Sequence, residues 1–124
     1  MAKPAVTASS IDHVVLHVRD VAASRAFYTG VLGMTVRSAG SGYAFLHCGD
    51  GGQQIGLFEA EDGEAAPGGD LNHLAFTAPG SAEAIRAALA EAGVAVRGRR
   101  GDPRCLYFED PDGYTLQIVA AGDG

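Results

Sequence analysis

The chain has 124 residues, of which 47% are apolar and 19% are charged, and this composition is typical of a folded domain and excludes a disordered one. Its formal net charge of −6 argues against sequence-independent nucleic-acid binding and against docking on an anionic membrane, because both require a basic surface. No apolar run approaches the roughly 18 residues that a spanning helix needs. The first ten residues lack the apolar core of a signal peptide, so we expect a flexible lead-in at 1–10 and a cytoplasmic protein.

The first half of the chain predicts the order strand, helix and three further strands. Residues 11–18 are rich in β-branched side chains and predict the first strand. Asp20 is placed to cap a helix that Gly33 ends, and a hairpin at 43–59 follows. The predicted hairpin turn contains Asp50 and Gly51, and the apolar face of the predicted helix contains Phe27, Tyr28, Val31 and Leu32.

The second half repeats the first at an offset of about 60 residues. The segment at 11–16 reads Ile-Asp-His-Val-Val-Leu, and the segment at 71–76 reads Leu-Asn-His-Leu-Ala-Phe, so that His13 and His73 fall at equivalent positions. A repeat that extends over most of a chain indicates two copies of one structural unit.

The remaining elements of the second half follow the same order. Ser81 is placed to begin a helix that Gly93 ends, and a hairpin at 104–120 completes the unit. Short apolar stretches at 34–36 and 94–96 predict the strand that precedes each hairpin.

The acidic, glycine-rich stretch at 60–70 is predicted to be a linker between two modules. We therefore predict an α+β fold of two βαβββ modules, at 11–59 and 71–120, with a short tail at 121–124 and with curved mixed sheets that form a cup. A module of this size buries little surface alone, so the two modules must pack together or pair with a second copy of the chain. A cup of this kind is a natural site for a small molecule.

Four motifs together resemble the vicinal oxygen chelate superfamily, which contains glyoxalases, extradiol dioxygenases, fosfomycin-resistance transferases and bleomycin-binding proteins. The resemblance covers about 11–120 and implies paired βαβββ modules, a homodimer, and a cup that binds a small molecule, in many members beside a divalent metal. The motifs are Ile11-Asp12-His13-Val14, Phe27-Tyr28 with Val31-Leu32-Gly33-Met34, Asn72-His73-Leu74-Ala75-Phe76, and Tyr107-Phe108 with Asp110-Pro111-Asp112-Gly113.

The resemblance implies metal ligands at four equivalent places, in the first and last strand of each module. Those places hold His13, His73, Gln117 and Gly56, so the carboxylates that are usual in the last strands are missing. Two imidazoles and an amide oxygen form a weak site, because no anionic ligand offsets the charge of the metal. Three hypotheses remain open: a weakly held Zn, Ni, Mn, Co or Fe ion, an ion held jointly with substrate oxygens, or no metal and two histidines in the cup wall.

Other candidate site residues come from strand alternation and from charge. His17 shares a face of the first strand with His13, so it is either a candidate catalytic base or a polar wall residue. The basic segment at 97–104 is expected to be a loop, either solvated or placed at the cup mouth to bind a carboxylate or phosphonate. The candidate substrate-binding residues are Tyr43, Phe45, His47, Tyr107 and Arg104.

These residues leave several classes of function open for a small-molecule-binding protein. The first is a metal-dependent lyase, dioxygenase or transferase in which the ion polarises vicinal oxygens. The missing carboxylates count against a glyoxalase I mechanism and against an extradiol dioxygenase, whose iron needs two histidines and a carboxylate. The alternatives are a metal-free protein that sequesters a drug or metabolite, and a regulatory member that has lost the chemistry.

Overall fold

The computed structural model describes residues 3–49, 53–61 and 71–122, which form two four-stranded mixed sheets and two helices. The predicted turn at Asp50 and Gly51 and most of the predicted linker at 60–70 lie outside these residues. The first module contains β1 (His13–Val18), α1 (Val21–Gly30), β2 (Thr35–Gly40), β3 (Tyr43–His47) and β4 (Gln54–Glu59). The second contains β5 (Leu74–Ala78), α2 (Ala82–Glu91), β6 (Arg97–Arg99), β7 (Asp102–Glu109) and β8 (Thr115–Ala120).

Both sheets have the same topology, as the internal repeat predicts. The strand orders are β1-β4-β3-β2 and β5-β8-β7-β6. In each sheet the first strand runs parallel to the last, and the other neighbours are antiparallel. The predicted α+β fold of two βαβββ units is therefore confirmed, and the two sheets do not close into a barrel.

The predicted cap residues begin both helices. The side chain of Asp20 accepts hydrogen bonds from two backbone amides of α1 at 3.0 and 3.3 Å, and that of Ser81 accepts one from α2 at 3.1 Å. The first helix ends at Gly30, so Val31 and Leu32 lie in a following turn that Gly33 closes at φ +67°. Neither of the two described helices, each of 10 residues, is long or apolar enough to span a bilayer.

The basic segment at 97–104 is not the loop that the sequence predicts. Its first part is β6 and its last part begins β7, and the two strands pair Arg97 with Tyr107. The stretch at 94–96, for which the apolar pattern predicts a strand, precedes β6, and its valines pack against the core instead. Apolar pattern alone misplaces this strand because the register with β7, which shifts after Gly98, decides which residues pair.

A buried network of hydrogen bonds joins α1 to the turn between β7 and β8. The Tyr28 hydroxyl donates to Oδ2 of Asp110 at 2.6 Å, and the Ser24 hydroxyl donates to Oδ2 of Asp112 at 3.0 Å. The backbone N–H and Nε of Arg19 both donate to Oδ1 of Asp112, at 2.9 and 3.1 Å. We call these five residues the intermodule network, because it connects the two modules across more than eighty positions of sequence.

Candidate functional site

Each sheet has one face that its own helix covers and one open face, and the candidate residues of β1 lie on the open face. Leu16 and Val18 point to the helix and are 3% and 0% exposed. His13, Val15 and His17 alternate with them and are exposed, as the strand period predicts. The open face of β1 therefore presents two histidines and a valine to solvent.

An aromatic patch lies beside His13 on the open face of the first sheet. Phe45 pairs with Gly56, and Tyr43 pairs with Phe58, whose ring is stacked on that of Tyr43 at 5.8 Å. The Phe45 ring contacts those of Phe58 and His13 edge-on, at 5.5 and 5.6 Å. Sequence reasoning identified Tyr43 and Phe45 but missed Phe58, which only the strand register places beside them.

His17 and His47 lie on the same open face as His13, but only His47 shares a row with it. His47 pairs with Gln54, which pairs on its other side with His13, so these three residues form one row across the sheet. Nδ1 of His47 is buried without a hydrogen-bond partner among the residues that the structure describes. His17 lies in the row of Phe58, and its backbone carbonyl accepts a hydrogen bond from the Tyr114 hydroxyl at 2.8 Å.

The open face of the second sheet brings together an imidazole, a phenol and an amide. Gln117 pairs with Ala75 on one side and with Tyr107 on the other, and the rings of His73 and Tyr107 meet edge-on at 6.0 Å. A groove of about 470 Å³ opens here, lined by Asn72, His73, Arg97, Gly98, Tyr107 and Thr115. The second module therefore presents polar and aromatic side chains around an open groove.

The arginine beside His73 is Arg97, and Arg104 is placed elsewhere. Alternation along β7 puts Arg104, which is exposed, on the face opposite Cys105 and Tyr107. Arg97 pairs with Tyr107 and lines the groove. The sequence identified the basic segment, and only the pairing register shows which of its arginines lines this groove.

The side chain that precedes each of His13 and His73 in the sequence lies within hydrogen-bond distance of its imidazole. Nδ1 of His13 lies 2.8 Å from Oδ2 of Asp12, and Nδ1 of His73 lies 2.7 Å from Oδ1 of Asn72. Since both oxygens accept, a neutral imidazole at either position carries its proton on Nδ1, which leaves the lone pair of Nε2 for a metal or a hydrogen-bond donor. Sequence reasoning assigned no role to Asp12 or Asn72, although a polar residue before each histidine was the available signal.

The two last-strand positions, Gly56 and Gln117, have different surroundings. A Cβ at Gly56 would lie 2.8 Å from Cε1 of Phe45, so the phenylalanine ring occupies the place of a ligand side chain. Gln117 is 6% exposed, and its Nε2 donates to Sγ of Cys105 at 3.1 Å, so Oε1 is the amide atom that could act as a ligand. Two imidazole nitrogens and this oxygen are donors that suit a divalent transition metal. Within the described ranges no three His, Cys, Asp or Glu side chains of one chain form a metal-binding cluster.

The close approach of Phe45 to Gly56 gives a direct prediction. Gly56→Ala is expected to destabilise the protein by about 1 kcal/mol, because the added methyl group forces the ring to shift. The measurement is the thermal midpoint of unfolding. Gly30→Ala is the matched control, because nothing lies within 4 Å of a Cβ there, and it is expected to be neutral or stabilising. Equal midpoints for the two variants would contradict the proposed packing.

Comparison with known proteins assigns the family. The sequence model of the Glyoxalase/Bleomycin resistance protein/Dioxygenase superfamily matches residues 10–118. The chain therefore belongs to this superfamily, which confirms the resemblance that its motifs indicate. Members of the superfamily bind small-molecule substrates and commonly form dimers.

Individual relatives agree with this assignment. The chain is 32% identical over 111 residues to the glutathione transferase FosA of Serratia marcescens, and the aligned part covers 88% of this chain and 79% of that protein. An integron cassette protein from the mobile metagenome of V. cholerae is 28% identical with a TM-score of 0.72, over 94% of this chain and 98% of that one. The fosfomycin resistance protein FosX of Listeria monocytogenes, whose structure contains Mn(II) and sulfate, has the same fold at 22% identity and a TM-score of 0.71, over 92% and 91% of the two chains.

Proposed function

We propose that this protein binds a small anionic molecule at a divalent metal ion held by His13, His73 and Gln117. The observation that carries the proposal is the matched anchoring of the two imidazoles, at 2.8 and 2.7 Å, which presents Nε2 as a ligand in both modules. Similarity to a glutathione transferase supports a site that handles a small molecule.

The neutral donor set supports an anion as the ligand. None of the three protein donors offsets the metal's double positive charge, so negative oxygens of the bound molecule would supply that compensation. Arg97, which lines the groove with His73, adds guanidinium donors that suit a carboxylate or a phosphonate. Two adjacent oxygens in one molecule would bind more tightly than one, because the second binds without a further loss of translational freedom.

We further propose that the site joins the first module of one protomer to the second module of its partner. His13 contacts Phe45 of its own module, and His73 contacts Tyr107 of its own. The groove at His73 is lined by second-module residues. A second copy that laid its first module over this groove would cover the exposed Val15 and supply the third ligand.

The chain's own residues have distinct roles in this proposal. A bound ion would supply Lewis-acid polarisation of the ligand's oxygens. Arg97 orients the anion, and the patch of Tyr43, Phe45 and Phe58 packs against its apolar part and excludes water. His17, on the same open face as His13, is the proposed proton acceptor.

Thermal unfolding of chelator-stripped protein tests the proposal. Mn, Ni, Co, Zn or Fe(II) at about a hundred times its dissociation constant is expected to stabilise the fold by about 2.7 kcal/mol. Lactate, whose carboxylate and hydroxyl oxygens are vicinal, is expected to raise the midpoint further only when metal is present, whereas acetate is the matched control with a single carboxylate. Absence of a shift with every metal would overturn the proposal.

The aromatic patch favours one alternative, which is metal-free binding of a planar molecule. Tyr43 and Phe58 are stacked at 5.8 Å on an open face, an arrangement that accommodates a further ring. Binding of a planar drug or metabolite that persists unchanged in EDTA, together with a missing metal shift, would favour this sequestering function.

A further inference from the structure

We propose that Cys105 is a positioning residue of the metal site, and that its thiol is the reason why position 117 holds a glutamine in place of a glutamate. The inference rests on the proposed function. It concerns how the amide is oriented and which residue type its surroundings accept. The structural basis is a chain of two hydrogen bonds that runs from Gln117 through Cys105 to Asp102.

The direction of these hydrogen bonds follows from the chemistry of the groups. Sγ of Cys105 lies 3.2 Å from Oδ2 of Asp102, and a carboxylate can only accept, so the thiol proton points to Asp102. Asp102 is itself held in place, because its Oδ1 accepts the backbone N–H of Arg104 at 3.2 Å. The sulfur therefore presents its lone pairs to Gln117, whose nearest atom, at 3.1 Å, must be the donor Nε2.

Burial favours this orientation of the Gln117 amide over the flipped one. Cys105 is 4% exposed and Gln117 is 6% exposed, so water has little access to either group. An amide turned the other way would place Oε1 against the sulfur's lone pairs and leave a buried donor without a partner. With Nε2 bound to the thiol, Oε1 is the atom that remains to bind the metal.

The same argument explains the absence of a carboxylate at this position. A glutamate has two acceptor oxygens and no donor, so one oxygen would face the sulfur lone pairs of Cys105. The thiol would have to take its proton away from Asp102 to satisfy the new side chain. Cys105 and Asp102 are thus matched to an amide at 117, and the neutral donor set of the site is a property of all three residues together.

A double-mutant cycle on Co(II) binding tests this inference. In the wild-type background, Cys105→Ala is expected to weaken Co(II) about tenfold and to change its visible absorption, because the amide loses its orientation. Cys105→Ser is expected to restore affinity to within about threefold, since a hydroxyl also donates and accepts. In a Gln117→Glu background, Cys105→Ala is expected to leave the affinity unchanged or to raise it. Cys48→Ala, which changes the other free thiol, is the matched control and is expected to have no effect.

The possible outcomes separate this inference from the proposed function. If wild-type protein binds no Co(II), both fail. If it binds Co(II) with an affinity that Cys105→Ala does not change, the metal site stands and the positioning role is overturned. Equal weakening by Cys105→Ala in the wild-type and the Gln117→Glu backgrounds would also overturn it, because a residue that only fills space does not distinguish an amide from a carboxylate. Unfolding midpoints of the metal-free variants verify that each is folded. If Cys105→Ala does not fold, Cys105→Val, which fills more of the space but neither donates nor accepts a hydrogen bond, takes its place in the cycle.

Discussion

Tyr28→Phe is expected to destabilise the protein by about 2 kcal/mol, although it removes a single oxygen atom. The lost hydroxyl donates to Oδ2 of Asp110 at 2.6 Å, and Tyr28 and Asp110 are 0% and 5% exposed. Removing the donor leaves a buried carboxylate oxygen without this partner, and such an oxygen cannot recover its hydration. For a domain of this size the thermal midpoint should fall by about 8 °C.

The pH dependence of this effect has a definite sign. Burial raises the pKa of Asp110, while hydrogen bonds from Tyr28 and from two backbone amides lower it. A raised pKa means that stability from the neutral acid is present below the ordinary aspartate pKa and is lost as pH rises through the folded value. Without the hydroxyl the folded pKa rises further, so the penalty of Tyr28→Phe is expected to be greatest near neutral pH and to shrink as the solution is acidified.

Chemical denaturation of both proteins across this pH range measures the effect. Tyr43→Phe is the matched control, because that tyrosine lies half-buried on the open face, outside the intermodule network. It is expected to change stability by less than about 0.5 kcal/mol. A Tyr28→Phe penalty no larger than that of the control would show that the network does not stabilise the two modules.

His13→Ala and His73→Ala are each expected to lower metal affinity by about a hundredfold or more, because each removes one of three protein ligands. Isothermal titration of the chelator-stripped proteins measures the loss. His47→Ala is the matched control, since His47 lies in the same row as His13 and is separated from it by Gln54. A comparable loss in His47→Ala would contradict the proposed ligand set.

Mixing the His13→Ala and His73→Ala variants, which each bind metal weakly, tests whether the site is shared between protomers. If the ligands come from two chains, a heterodimer of His13→Ala with His73→Ala contains one site with both histidines and one with neither. Random reassociation would then restore about a quarter of the sites. If His13 and His73 of one chain bind the same ion, the mixture binds no more metal than the two variants do separately, and the proposed sharing is refuted.

Local regularities of the sequence were sufficient to predict the fold and the place of the two histidines. Side chains alternate between the two faces of a strand, so His13 and Val15 were expected on the face opposite Leu16. The repeat at about 60 residues predicted the equivalent position for His73. Cap and turn residues, such as Asp20 and Ser81, act within one helical turn, so their roles can be recognised without knowledge of distant contacts.

The remaining features depend on contacts between residues that are far apart in sequence, and only the tertiary structure decided them. Strand register, which no local pattern encodes, placed Arg97 in the groove and Phe58 in the aromatic patch. Packing of α1 on the distant β7–β8 turn created the buried bond between Tyr28 and Asp110. The sequence offered Gln117 only as an unusual candidate ligand. Pairing of β7 with β8 set its amide beside the Cys105 thiol, because side chains on neighbouring strands meet only after the sheet has formed.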